Sequence, residues 1–343
     1  MTHADRMHWI LAAYAVALAL ANPSPAAAPG ESQPNPYQVV ADHFKIPAGR
    51  PMGSTAAIDI DRDGHSVWVF ERCGGASQAQ KCAESSLAPL LKFDASGKLV
   101  ASFGAGMFVS PHGIHVDRQG NIWLADGAAR NGKGDQVFKL SPEGKVLMTL
   151  GKAGVAGDGP DTFGPPSDIY VAQNGDVFVA DGHGGNTNAR IVKFSKDGHF
   201  IKQWGKRGTG PGEFDTPHSL AMDSSGRLFV ADRGNNRIQI FDQDGKFLAE
   251  WKQFGRPSGI FIDRHDVLYA ADTQSDEKVN PGYKRGIRIG SAKDGTVTAF
   301  VADADPEGTG EGIAVDADGT IYGALTAKQT LKQYVKSAKG STR

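Results

Sequence analysis

PHGIHVDRQGNIWLAD, Pro111 to Asp126, decides the fold, because the chain writes it again and again. It returns as PSDIYVAQNGDVFVAD (Pro166 to Asp181), PHSLAMDSSGRLFVAD (Pro217 to Asp232) and PSGIFIDRHDVLYAAD (Pro257 to Asp272). Weaker copies are TAAIDIDRDGHSVWVF (Thr55 to Phe70) and GEGIAVDADGTIYGAL (Gly310 to Leu325). Each copy is a short alternating apolar run, a D-x-x-G turn and a second run rich in β-branched and aromatic residues. That pattern is a β-hairpin. A second hairpin follows, as in LLKFDASGKLVASFG from Leu90, QVFKLSPEGKVLMTLG from Gln136 and RIVKFSKDGHFIKQWG from Arg190. RIQIFDQDGKFLAEW from Arg237 and GIRIGSAKDGTVTAF from Gly286 continue the series. No helical period intervenes, so each unit is four antiparallel strands.

The second residue of the motif falls at Ala56, His112, Ser167, His218, Ser258 and Glu311, with spacings of 56, 55, 51, 40 and 53 residues. Four-stranded units of this length, six times over, predict an all-β, six-bladed β-propeller. The last unit ends on a third strand at Leu331 to Val335, and Tyr37 to Phe44, ahead of the first copy, is expected to supply the missing one. Strands from the two termini then close the ring and remove an exposed edge. The expected organisation is a signal peptide over 1–28, one propeller over 37–337 and a flexible basic tail over 338–343.

Composition agrees. Of 343 residues 44 are glycine, about twice the usual share, as a chain of tight turns requires. Lys plus Arg number 37 against 38 Asp plus Glu, a net charge of −1 that excludes a general nucleic-acid binder. Trp9 to Ala21 is an apolar run behind Arg6, followed by the small-residue sites Ala19-Leu20-Ala21 and Ala26-Ala27-Ala28, which reads as a secretory signal. No other apolar stretch is long enough to span a membrane. The chain is therefore expected to be exported to the periplasm or outside, without a membrane span once mature, and monomeric. Its two cysteines, Cys73 and Cys82, favour a local disulfide in that compartment. The same pair resembles half a metal site, but no matching Cys/His pair stands nearby.

Residues that break the repeat carry more information than those that make it. The strand-end Asp and the turn Asp recur, so they read as structural; D-x-D-G at Asp61 and Asp316 lacks the remaining positions of a calcium loop. The motif's second position is small in units one, three and five, but His112, His218 and Glu311 in units two, four and six. Alternate blades place these three about 120° apart around the propeller axis. Two imidazoles and a carboxylate converging there suit zinc with an open position; the alternatives are satisfied structural histidines and a solvent-facing Glu311. Arg72 and Arg233 follow second strands at a channel mouth, where a guanidinium offers a planar fork to a carboxylate or stands as a solvated surface group. His183, in ADGHGGNTNARI, is a candidate general base or a turn-capping residue.

With its NHL-type repeats and these site residues, the chain resembles the peptidyl-α-hydroxyglycine α-amidating lyase family from about Thr55 to Val335. The similarity is carried by PHGIHVD, ARIVKFSKDGHFIKQWG and TPHSLAMDSSGRLFVADRGNNRIQIF. The resemblance implies a zinc ion on the axis, held by family histidines that fall on His112, His218 and, as a departure, Glu311. Arg72 and Arg233 match the family's active-site arginines. His183 stands where the family has its catalytic tyrosine. Gly312 stands for a calcium-ligating Asp, so a structural calcium is not expected. The implied reaction splits a small or peptide substrate ending in an α-hydroxyglycine-like group into an amide and glyoxylate. The competing expectation is a non-catalytic NHL propeller that binds a peptide or protein partner.

Overall fold

A computed structural model describes residues 31–76, 79–302 and 310–337, and the expected signal segment and basic tail lie outside the described residues. Within them the chain is a ring of six four-stranded antiparallel sheets. The inner strands are Thr55–Ile60, Pro111–Val116, Pro166–Val171, Pro217–Met222, Pro257–Ile262 and Gly312–Val315, in blades one to six. In five blades the order outward from the inner strand is the order of the sequence. In blade six the outermost strand is Tyr37–Val40, which pairs with Thr330–Lys336 through Tyr37 opposite Lys336 and Val40 opposite Gln333. The ring is closed as the sequence implies, with a first strand that stops at Val40 rather than Phe44.

Alternation builds the core. Second strands such as Val67–Glu71, Ile122–Asp126 and Leu228–Asp232 are buried at every residue, because each is flanked by neighbours in its own sheet and covered by a blade on either face. Buried clusters therefore sit between blades. Trp68 and Phe70 of blade one pack on Ile114, Leu124 and Phe138 of blade two, and Phe178 and Ile191 of blade three pack on Leu220 and Val230 of blade four. Ile58, Val67 and Leu91 of blade one meet Ala314 and Tyr322 of blade six, which closes the circle.

Turn chemistry follows the sequence. In the D-x-x-G turn of blade two, Asp117 Oδ1 accepts from the Gln119 and Asn121 amides while Gly120 takes φ +87, a left-handed angle that glycine tolerates at no steric cost. Asp266 fills the equivalent place in blade five at φ +59. The strand-end aspartates brace the preceding loop: Asp126 accepts from the Val109 and Ser110 amides, and Asp232 from the Asp215 amide.

A feature the repeat pattern does not reveal positions the site. Pro217 pairs with Asp232 and Ser219 with Ala231, so His218 is an extra residue, a β-bulge in the inner strand. The same register shift falls in blades one, two, three and five, at Ala56, at His112 and Gly113, at Ser167 and at Ser258. A bulged residue leaves the pleat alternation and is re-aimed, here toward the axis.

Candidate functional site

His112 and His218 are buried, at 4% and 3% exposure, and both are held the same way. His112 Nδ1 lies 2.7 Å from the Ser167 carbonyl, and His218 Nδ1 lies 2.6 Å from the Ser258 carbonyl. A carbonyl can only accept, so each Nδ1 carries the proton and each Nε2 presents a lone pair. The motif's second residue in blades three and five thus orients the imidazole of the blade before it. Sequence reading treats Ser167 and Ser258 only as small residues. Their backbone contribution is hidden because any residue type supplies a carbonyl.

The freed Nε2 atoms converge with two further groups. One ligand atom each from His112, His183, His218 and Glu311 lie within 4.8 Å of one another. The imidazole centroids are 4.5 Å apart for His112 and His183, 4.9 Å for His112 and His218, and 5.1 Å for His183 and His218. His112 Nε2 is buried with no hydrogen-bond partner. His218 Nε2 stands 3.2 Å from Glu311 Oε1 but is not aligned as a hydrogen bond to it. Buried nitrogens rarely go unpaired, and two with lone pairs aimed at a common space fit a cation. The donors, imidazole and carboxylate, fit zinc. Glu311, which the sequence leaves open to a solvent-facing reading, points inward with its side chain 11% exposed.

Both arginines are buried, Arg72 at 4% and Arg233 at 7%, so neither is the solvated surface group that a mouth position allows. Arg72 Nε donates to the Pro111 carbonyl at 3.0 Å, immediately before His112. Arg233 begins a short 3₁₀ turn, Arg233–Asn235; its Nη1 donates to Glu311 Oε1 at 2.9 Å and its Nη2 lies 3.3 Å from His183 Nε2. A guanidinium cannot accept, so His183 Nε2 is the acceptor there.

Charge follows burial. Burial, then the neighbouring His183 and His218, hold His112 well below the usual histidine range. Burial, then His218 and Arg233, push His183 down to about 3. His218 is lowered by burial and by Arg233, against the pull of Glu311. Burial alone would raise the Glu311 carboxyl, but contact with His218 and the charge of Arg233 hold it well below the carboxylate range. Burial thus disfavours charge on the three imidazoles, while the neighbouring guanidinium favours it on Glu311.

The axial channel opens into a cavity of about 280 Å³, whose lining includes His112, His218 and Glu311 together with Asp59, Asp168 and Tyr170. Burial pushes the Asp168 carboxyl up to about 7. Away from the axis, Cys73 and Cys82 form the expected disulfide, which suits an extracellular or lumenal setting. Among the described residues no helix is long and apolar enough to cross a membrane.

Comparison with known proteins matches residues 214–241 to the NHL repeat. The chain is 42% identical over 146 residues to peptidyl-glycine alpha-amidating monooxygenase of Mus musculus, a match over 40% of this chain and 14% of that protein. It is 38% identical over 142 residues to a probable peptidyl-alpha-hydroxyglycine alpha-amidating lyase of Caenorhabditis elegans, covering 40% of this chain and 38% of the relative. Against NHL repeat-containing protein 3 of Mus musculus it is 38% identical over 203 residues, or 56% of this chain and 54% of the relative. The matches therefore span between a seventh and about half of these relatives' own lengths. The chain is a six-bladed NHL-repeat propeller, similar in sequence to the peptidyl-α-hydroxyglycine α-amidating lyases and to NHL repeat-containing protein 3.

Proposed function

We propose that the chain is an exported, metal-dependent carbon–nitrogen lyase that cleaves a carbinolamide of the α-hydroxyglycine kind into an amide and glyoxylate. One observation carries this reading: the Nε2 atoms of His112 and His218, buried without hydrogen-bond partners, converge with the Glu311 carboxylate beside Arg233. His112, His218 and Glu311 would hold the zinc, with no structural calcium. Such a metal supplies Lewis-acid polarisation of the substrate's hydroxyl or carboxylate oxygen.

The chain's own residues do the rest. Arg72 and Arg233 would hold the substrate carboxylate, and their burial strengthens that contact relative to water. Arg233 then has to share its fork between Glu311 and the substrate. In the bond changes the hydroxyl loses its proton, the C–N bond breaks, the carbonyl of glyoxylate forms and the amide nitrogen regains a proton. His183 is the sequence's candidate for taking the hydroxyl proton; to do so through Nε2 it must first release Arg233. The disulfide supports export.

The test supplies a peptide ending in α-hydroxyglycine, with zinc, and measures glyoxylate. Release above that of a His112→Ala, His218→Ala double variant is expected; equal release in both would remove the lyase reading. A second reading, a non-catalytic propeller that binds a peptide or protein partner, is favoured by two departures from the family's site, His183 in place of its tyrosine and Glu311 in place of its third histidine. It predicts tight peptide binding with no glyoxylate from either protein.

A further inference from the structure

The geometry points to His183 as a metal ligand, so that the cation is held by His112, His183, His218 and Glu311 rather than by three residues. The inference rests on the metal reading above and reassigns one residue within it.

Three imidazoles bound through Nε2 to one tetrahedral ion, with bonds of 2.0–2.1 Å, place their ring centroids about 5 Å apart. The observed centroid separations are 4.5, 4.9 and 5.1 Å, a closed triangle in which His183 is no more distant than the other two. The four candidate ligand atoms lie within 4.8 Å of one another. A tetrahedral set needs roughly 3.4 Å between ligand atoms, so closure from the 4.8 Å bound is at most about 1.4 Å per pair.

The loop that carries His183 is tied at both ends, which keeps the imidazole near the axis. The Gly182 amide donates to the Pro165 carbonyl at 3.1 Å, and Asn188 Nδ2 donates to Asp181 Oδ2 and to the Gly157 carbonyl, each at 2.8 Å. Within the loop Thr187 Oγ1 donates to the Gly184 carbonyl at 2.7 Å.

Arg233 shows what the position asks for. Its guanidinium reaches both Glu311 Oε1 and His183 Nε2, bridging two groups that each offer a lone pair. A positive group thus already sits between two of the four donors. A metal would take the His183 lone pair, and the Arg233 Nη2 donor would be released for a substrate carboxylate. Four protein ligands leave catalysis to a fifth position, an expansion that zinc sites do make.

X-ray absorption on the zinc-loaded wild-type chain counts the imidazoles without any substitution. Three are expected; two would overturn the assignment while leaving the metal reading intact, and no bound zinc would end both. Cobalt(II) titration followed by its visible absorption adds variants. His183→Ala is expected to weaken cobalt at least a hundredfold, beyond the 10–100-fold typical of losing a residue that only supports a ligand. His183→Gln keeps an acceptor for Arg233 but is a poor ligand, so it should weaken cobalt as much as alanine does. Affinity within threefold of wild type in His183→Gln would show that His183 only positions Arg233.

Discussion

Replacing Glu311 by Gln removes one charge from the centre of the ring and keeps its shape. Glu311 Oε1 accepts from Arg233 Nη1 at 2.9 Å, and the two side chains are 11% and 9% exposed. Losing one partner of a buried pair costs about 3–5 kcal/mol, because the other charge is left uncompensated. The glutamine oxygen still accepts a hydrogen bond, so the lower end, about 3 kcal/mol, applies. In a domain of this size each kcal/mol moves the midpoint by roughly 2–4 °C, so metal-free Glu311→Gln should melt about 6–12 °C below metal-free wild type. Calorimetry on chelator-treated protein reads that difference. Repeating it with excess zinc should raise both midpoints but raise the variant's by less, since loss of one ligand weakens the binding that stabilises the folded chain. A metal-free midpoint within 2 °C of wild type would refute the pairing, and an equal zinc shift in both proteins would remove Glu311 from the ligand set.

Three other outcomes follow from the same structure. Cys73 and Cys82 enclose a short loop, and Cys73→Ser with Cys82→Ser should cost about 2–3 kcal/mol in urea unfolding; no loss would show that the bridge does not constrain the unfolded chain. A Cβ on Gly259 would stand 2.5 Å from the Glu311 carbonyl, so Gly259→Ala should cost about 1–3 kcal/mol and weaken metal binding about tenfold or more. Unchanged affinity would mean that blade five does not set the position of Glu311. Asp168 has its carboxyl raised to about 7 by burial. The folded chain therefore binds that proton more tightly than the unfolded chain, and this contribution to stability falls as pH rises from about 4 to about 7. The lowered histidines work in the opposite direction, so the comparison is between proteins: the midpoint of Asp168→Asn minus that of wild type should be more positive at pH 8.5 than at pH 5. A difference independent of pH would contradict a buried, raised carboxyl.

Most of the fold was legible because it is periodic. Repeated hairpin signatures set the blade number, and an incomplete last unit with a spare first strand at Tyr37 to Phe44 implied the closure, which uses only Tyr37–Val40. The alternation of His112, His218 and Glu311 with small residues singled out the axis, because a repeat that folds with Ser or Ala does not need a histidine there. Other features left no mark. A bulge at the motif's second position changes no residue type, and the carbonyls of Ser167 and Ser258 that orient the two histidines belong to the backbone. Burial of Arg72 and Arg233 depends on blades brought together by closure, so a position just past a strand end leaves a substrate-binding fork and a solvated surface group equally open. His183 was visible as a polar residue on a glycine-rich loop. Its distance from the other two imidazoles is a property of the folded ring alone.

Lyase chemistry at this site requires that His112, His218 and Glu311 hold a metal. Inductively coupled plasma analysis of freshly purified chain, beside the His112→Ala, His218→Ala variant, measures that directly. One transition-metal ion per wild-type chain and none in the variant is the predicted result. Absence of a stoichiometric metal from wild type, or equal metal in both proteins, would contradict the account at its centre.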